Sequence, residues 1–301
     1  MNVVIRVNEE IKKKMLAYYK DKIRDKVIPY VVFQAEDNDT VITMYESGKV
    51  MFQGTSADVD AAMWGVELEK SKDKKTNNND NIYYNVSAIG SDEVGTGDYF
   101  GPIVVTATLV MKDDIAFLEK LGVGDSKKID DEKILKMAPE IAKKIKYKSI
   151  ILTNKEYNEK YTKDVNMNKI KAIMHNKVLY DLNHDEHPKI DYIIVDEFAH
   201  ENRYYGYLED IPTIQKGITF MPRAEDKNLA VGSASIISRY LFLKEFDKLS
   251  DSIHLPLPKG AGTDVDKMGE EIVEKYGQDK LKEIAKYNFK NTDRILHTCI
   301  Y

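Results

Sequence analysis

Asp92 and Glu93 stand side by side where an apolar, β-branched run gives out. The stretch IGSDEVGTGDYFGPIVVTATLV (89–110) then turns through Gly95, Gly97 and Gly101 before a second such run begins. The crevice beyond strand carboxyl ends is where α/β sheets present reactive side chains, so acids there are placed to do chemistry. Asp196 has the same relation to the run YIIV. Glu225 and Asp226, in MPRAEDKNLAVGSASI, fall between a strand and a helix start. Clustered carboxylates repel one another and stay ionised only beside a counter-ion. Mg2+ and Mn2+ suit that role, because they prefer carboxylate oxygen and retain waters for reaction. Two such ions can activate an attacking water and stabilise the leaving oxygen of an in-line phosphoryl displacement. Spacing alone does not choose the set. Asp98, Asp125, Glu197 and Asp226 are neighbouring acids of similar appearance, and an acid at a strand end also serves as a helix N-cap or a solvated turn residue.

The glycines admit fewer readings. Gly95-x-Gly97 begins like a dinucleotide fingerprint, but the third glycine would fall at position 100, which is Phe, and the segment beyond is strand-like. That motif needs a helix there, so it fails. Two readings stay open. The loop brings bare main-chain groups close to a sugar–phosphate, where a ribose 2′-hydroxyl is a fitting target because it donates and accepts. Alternatively it is a tight turn that needs positive φ.

The elements that must hold these residues follow from pattern. Residues 71–81, SKDKKTNNNDN, contain nothing apolar and are expected to form a polar linker between a small unit, 1–70, and a catalytic-sized one, 82–301. In the small unit, NVVIRV reads as a strand. Ile11, Met15, Tyr19 and Ile23 then recur every four residues along one helix face, with lysines around the rest as a solvated surface. YVVFQA, TVITMY and KVMFQG predict three more strands, with ESGK (46–49) as a turn. The large unit offers strands at YYNVSAIGS, IVVTATLV, KSIILTN, YIIVDEF and ITFM. Helices are expected over about 156–182, at ENRYYGYLED and at NLAVGSASIISRYLFLKEFDKL. Strands first, then alternating helices and strands, imply an α/β mixed sheet with flanking helices.

Length agrees with about two domains. No apolar run approaches 18 residues, the opening MNVVIRVNEEIKKK turns charged too early for a signal peptide, and the single cysteine, Cys299, has no internal partner. A cytoplasmic, reducing setting with no membrane is expected. The net charge of −5 leans weakly against a nucleic-acid binder, although a basic stripe can coexist with an acidic metal site.

These blocks, in their order and spacing, resemble the type 2 ribonuclease H family, and within it the ribonuclease HIII branch. DEVGTGDYFGP is similar to the family's Asp-Glu-x-Gly-x-Gly opening and GVGDSKKI (122–129) to its Asp-Ser-Lys-Lys segment. VDEFA carries the third acid and PRAEDKNLAVGSASIISR the fourth. NMNKIKAIMHNKVL (166–179), LPKGAG with NFKNT, and an N-terminal extension containing YESGKVMFQG point to the HIII branch. The resemblance spans nearly the whole chain. It implies a ribonuclease H-like fold preceded by a small α+β TATA-binding-protein-like, substrate-binding domain. It also implies an endonuclease that hydrolyses the RNA strand of RNA/DNA hybrids, leaving 5′-phosphate and 3′-hydroxyl ends. Asp92, Glu93, Asp196 and Glu225 would be the catalytic, metal-holding acids for Mg2+ or Mn2+. Gly95, Thr96 and Gly97 would read the ribose, and Lys127, Lys128 and Arg223 would contact phosphate. Thr96 stands where the family often has a basic residue. Tyr30, Phe33, Tyr45 and Phe52 would line the small sheet's binding face or its core. A monomer with no obligate protein partner is expected.

Two rivals stay on the table: a nucleic-acid-binding module with an impaired site, and another metal-dependent phosphoesterase. The first would bind without cleaving, the second would turn over a small phosphate ester. His184 and His187, in HDEHP, have a metal-site spacing but lie in a polar turn, and His175, His200, His254 and His297 are isolated in sequence.

Overall fold

The computed structural model describes residues 2–24, 30–37, 40–54, 56–64, 82–124 and 129–298. The expected linker at 71–81 lies outside these, as do Asp125, Lys127, Lys128 and Cys299. Two compact units emerge, one from residues 1–74, 97–100 and 257–301, the other from 75–96 and 101–256.

The first unit opens with β1 (Asn2–Arg6), α1 (Glu9–Tyr19), β2 (Val31–Asp37), β3 (Thr40–Tyr45), β4 (Lys49–Gly54) and α2 (Ala57–Ala62). Its sheet runs β1-β4-β3-β2, antiparallel throughout. Asn8 caps α1 by accepting the Ile11 N–H at 2.9 Å, and Glu9 and Glu10 sit in the first turn, where the helix dipole favours them. Met15 and Tyr19 bury against Phe33, Ile42, Met44 and Phe52 of the sheet and against Trp64. The expected stripe stops short of Ile23. The α-helix ends at Tyr19, a 3-10 turn covers Lys20–Lys22, and Ile23 forms a β-bridge with Ala35. Three residues per turn rotate position 23 off the apolar face. Of the four aromatics considered for the sheet, Phe33 and Phe52 are core, Tyr45 is half-buried and Tyr30 is exposed.

The second unit holds β5 (Ala88–Val94), β6 (Ile103–Val110), α3 (Ile115–Leu121), α4 (Asp131–Lys144), β7 (Lys146–Leu152), α5 (Asn154–Lys160), α6 (Met167–Glu186), β8 (Tyr192–Asp196), α7 (Glu201–Gly206), β9 (Ile218–Met221) and α8 (Leu229–Ile253). Its sheet runs β7-β6-β5-β8-β9. The first three strands form an antiparallel meander, while β5, β8 and β9 are parallel. The helix expected over 156–182 is two helices. Thr162 and Val165 bond each other's backbone between them, and Asn166 starts α6 by accepting the Lys169 N–H at 3.0 Å. A four-residue apolar period cannot reveal such a break, because the cap residues are themselves polar members of a helical pattern.

The pleat of β5 sends alternate residues to opposite faces. Ser91 meets His175 of α6, and Gly90 meets α8. The remaining elements of the first unit are α9 (Thr263–Tyr276), α10 (Gln278–Ile284) and α11 (Lys290–Thr298), which bury Ile272, Leu281 and Ile295. Segment 97–100 joins them. Tyr99 Oη lies 2.8 Å from Thr292 Oγ1, and the buried Lys286 donates to the Asp98 carbonyl at 2.7 Å. Burial pulls the Lys286 ammonium down to about 7. Among the described residues no helix is long and apolar enough to cross a membrane.

Gly90 marks the closest approach of sheet and helix. A Cβ there would stand 2.4 Å from the Val231 nitrogen and 2.7 Å from the Ala230 carbonyl carbon. Gly90→Ala is therefore expected to lower stability by about 3 kcal/mol in urea unfolding, at the upper end of overpacking costs. Gly206→Ala, with nothing within 4 Å, should stay within about 0.5 kcal/mol of wild type. Equal midpoints for the two variants would contradict this packing.

Candidate active site

The parallel register of β5, β8 and β9 brings three strand ends together. Ser91 pairs with Val195, so the next step along both strands sets Asp92 beside Asp196. Asp196 in turn pairs with Met221 at the end of β9. The chain then turns through Arg223, which takes a left-handed conformation at φ 55°, into a 3-10 turn over Ala224–Asp226. That turn wraps the end of β8, where the Ala224 N–H donates to Asp196 Oδ1 at 2.9 Å. Glu225 is thereby carried to the same end of the sheet.

Asp92 and Glu93, adjacent in sequence, leave opposite faces of β5. Asp92 lies on the α8 side, its carboxylate bonded by Ser235 and its carbonyl accepting from Ser238 Oγ at 3.2 Å. Its Oδ1 also accepts the Glu93 N–H at 2.8 Å. Glu93 turns to α6. Lys171 Nζ pairs with Oε1, and His175 Nε2 lies 2.8 Å from Oε2. Ser91 Oγ holds the other ring nitrogen of His175 at 2.8 Å.

Burial and mutual repulsion set the electrostatics. Asp92 is driven well above the usual carboxylate range by burial first, then by the charges of Glu93, Asp196 and Glu225. Burial also raises Asp196, against the backbone bond from Ala224. Glu225 is raised to about 7 by burial and by Asp196. Glu93 goes the other way. Burial alone would lift it, but Lys171 and His175 hold it at about 2.

Oε2 of Glu225 is buried with no hydrogen-bond partner. An orphaned buried carboxylate oxygen is costly and calls for a cation or a proton. Three carboxylates raised by burial and by neighbouring acids, all hard oxygen donors, fit a divalent ion of the Mg2+ or Mn2+ type by donor chemistry. Among the described residues, however, no group of three acids or histidines converges at metal-binding geometry. Both oxygens of Glu93 are engaged by side-chain nitrogens of α6.

The glycine turn separates into residues with different needs. Gly95 has φ +95°, and a Cβ would fall 2.1 Å from the Pro102 carbonyl oxygen and 3.0 Å from Phe242. Gly101, at φ +81°, would place a Cβ 2.5 Å from Phe246. Gly97 has an ordinary φ, and its nearest neighbour to a Cβ is Ala62 at 3.8 Å. Thr96 is half-buried and Arg223 is exposed. Of the other acids, Glu197 binds His200 Nδ1 at 2.8 Å and Asp98 accepts the Gly260 N–H at 2.6 Å. Lys127 and Lys128 are outside the described residues. His184 and His187 face each other with ring centres 5.3 Å apart on the surface.

Lys171 and His175 are the site residues that sequence reasoning passes over. His175 looks isolated in the chain, yet it is fully buried and touches Glu93. The signal was available in NKIKAIMHN: a Lys and a His four residues apart, and so on one helix face, with apolar residues around them.

Comparison with known proteins follows the same lines. The family model for ribonuclease HII matches residues 89–292, and a model for a domain of unknown function matches residues 2–77. A ribonuclease HIII of Lysinibacillus sphaericus is 39% identical, covering 97% of this chain and 98% of the relative. A ribonuclease HIII of Bacillus cereus is 37% identical over 98% of each. A crystal structure of Bst-RNase HIII in complex with Mn2+ aligns with a TM-score of 0.71 at 37% identity, covering 99% of each chain.

The raised Glu225 has a measurable consequence in metal-free protein. The folded state keeps its proton up to about pH 7, whereas an unfolded glutamate releases it near 4.5. The stability this confers is full below pH 4.5 and is lost as pH rises through 7. In EDTA, Glu225→Gln should match wild type near pH 4 and exceed it by about 1–3 kcal/mol at pH 8. A difference that does not grow with pH in thermal unfolding would refute the assignment.

Proposed function

The chain belongs to the ribonuclease HII family, and within it to ribonuclease HIII, and we propose that it is an endoribonuclease hydrolysing the RNA strand of RNA/DNA hybrids at the carboxylates of β5, β8 and the turn after β9. The observation that carries the assignment of residues is the parallel register, which sets Asp92 beside Asp196 and leads on to Glu225.

Asp92, Glu93, Asp196 and Glu225 would hold Mg2+ or Mn2+. When bound, a divalent ion supplies the positive charge that activates water for in-line attack and stabilises the leaving oxygen. The chain's own groups prepare this. Ser235 and the Glu93 N–H fix the Asp92 carboxylate, Ala224 fixes Asp196, and Lys171 with His175 fixes Glu93. The partnerless Glu225 oxygen supports its place in the set. Water attacks the phosphorus opposite the 3′ oxygen of the preceding ribose, so the products carry 5′-phosphate and 3′-hydroxyl ends.

Ribose recognition falls to Gly95, Thr96 and Gly97. Gly95 needs to be glycine for its conformation, but Gly97 does not. A position that is glycine without steric need inside the protein is suited to close approach by a ligand, here the 2′-hydroxyl. Arg223, exposed at the turn beside Asp196, and Lys127 and Lys128 are assigned to phosphates of the duplex. Residues 1–70 are read as a TATA-binding-protein-like domain that adds substrate affinity, joined by 71–81 to the catalytic domain, 82–301. We further read the enzyme as cytoplasmic and monomeric, with no obligate protein partner.

An end-labelled RNA/DNA hybrid incubated with Mg2+ or Mn2+ tests the function. Cutting of the RNA strand, abolished by EDTA and reduced about 1,000-fold in Asp92→Asn, is expected. Single-stranded RNA and duplex DNA should remain intact. Hybrid that is bound but uncut under both ions would leave a binding module, and turnover of a small phosphate ester alone would leave another phosphoesterase.

Gly95→Ala tests the turn. The strained φ and the 2.1 Å approach to Pro102 must shift the loop, so hybrid cleavage should fall at least about tenfold. Mn2+ affinity should be unchanged. Full activity in a folded Gly95→Ala protein would remove the turn from substrate recognition.

A further inference from the structure

Lys171 is a cation built into a cluster of acids, and hydrolysis by bound divalent ions has no evident need of it. It rises from the second turn of α6 and is 3% exposed. Its Nζ pairs with Oε1 of Glu93 and lies 4.2 Å from the centre of the Phe198 ring. Its charge also acts on Asp196. One helical turn on, His175 takes the other oxygen of Glu93 at 2.8 Å and is itself tied to Ser91. A buried ammonium is tolerated only where acids compensate it, and buried acids only where a cation does so. In the protein alone, each answers the other.

A divalent ion that uses Glu93 must either share its carboxylate with Lys171 or displace the ammonium. Resting on the metal-dependent reading above, we propose that Lys171 is an internal counter-cation that competes with the divalent ion for Glu93, stabilising the metal-free site and thereby setting how tightly the ion is held. Lys171 is thus a positioning residue for Glu93. It keeps the acids from flying apart before the ion arrives, at the expense of affinity once it does. The Phe198 ring helps keep the ammonium in place, since its negative face attracts a cation.

Removing the charge must therefore act in two opposite directions, which a purely packing role would not do. The test is Mn2+ binding without nucleic acid, with free Mn2+ followed by electron paramagnetic resonance, in wild type, Lys171→Met and Lys171→Gln. Both variants should bind Mn2+ about tenfold or more tightly, because a nearby like charge has been removed from a site of low dielectric. In EDTA both should melt at lower temperature than wild type, and the rise in melting temperature on adding Mn2+ should widen. Affinity that is unchanged or weaker in folded variants overturns the proposal. Wild-type protein that binds no Mn2+ removes the metal reading itself. Should neither variant fold, the Lys171 15Nζ resonance of wild type decides the matter during a Mg2+ titration. It should move in step with binding, and a resonance unmoved at saturation would overturn the competition.

Discussion

Like charges held together out of water are the constraint around which the catalytic unit is arranged. Asp92, Asp196 and Glu225 are each pushed upward by burial first and then by the charges of neighbouring acids. No local preference of the chain would assemble them. The assembly comes from the ladder: parallel pairing of β5 with β8 and of β8 with β9 leaves three chain segments ending at one edge of the sheet. Backbone hydrogen bonds and the burial of β5 and β6 under α6 and α8 supply the stability that the carboxylates oppose. Gly90 belongs to the same economy of space, because β5 reaches α8 closely enough for Ser235 to bond Asp92 only if no side chain intervenes at position 90.

The pleat adds a division of labour between the two adjacent acids. Asp92 faces α8, which answers it with neutral hydroxyl groups and leaves it hard to ionise. Glu93 faces α6, which answers it with an ammonium and an imidazole and keeps it charged. One strand thus presents a carboxylate that waits for a cation and one that already has a partner. The short-range cause is only the alternation of side chains along a strand. Its chemical effect is that two adjacent acids differ in charge, one raised by burial and one held ionised by Lys171 and His175.

Much of this was legible from sequence because strands and strand-end acids are local features. The β-branched runs IVVTATLV and YIIV became β6 and β8, and the acids at 92, 93, 196 and 225 do share one end of the sheet. What sequence left undecided depended on distant partners. Spacing could not choose Glu225 over Asp226, nor foresee that Glu197 would bind His200 instead of joining the cluster. It could not divide the glycines, since the need at 101 includes Phe246, 145 residues later, and the need at 95 comes from its positive φ and the Pro102 carbonyl, with Phe242 close behind. Ile23 and the break at 161–166 were hidden for a different reason. A period of four describes a face only while the helix stays an α-helix, and polar cap residues resemble the solvent side of a longer one.

Lys171 and His175 show why buried polar residues on a mostly apolar helix carry more information than their isolation in sequence suggests. Desolvating an ammonium and an imidazole on α6 is unfavourable unless acids come from elsewhere to meet them. β5 offers such an acid in Glu93, which both side chains contact. The helix therefore specifies its register on the sheet through chemistry as well as shape: a shift of one turn would bury the Lys171 ammonium and the His175 imidazole away from Glu93. Fold and site are in this respect one problem, since the contacts that align α6 on β5 are the same contacts that hold the Glu93 carboxylate charged. A substitution at either helix position is then felt twice, once in the packing of the unit and once in the charge of Glu93.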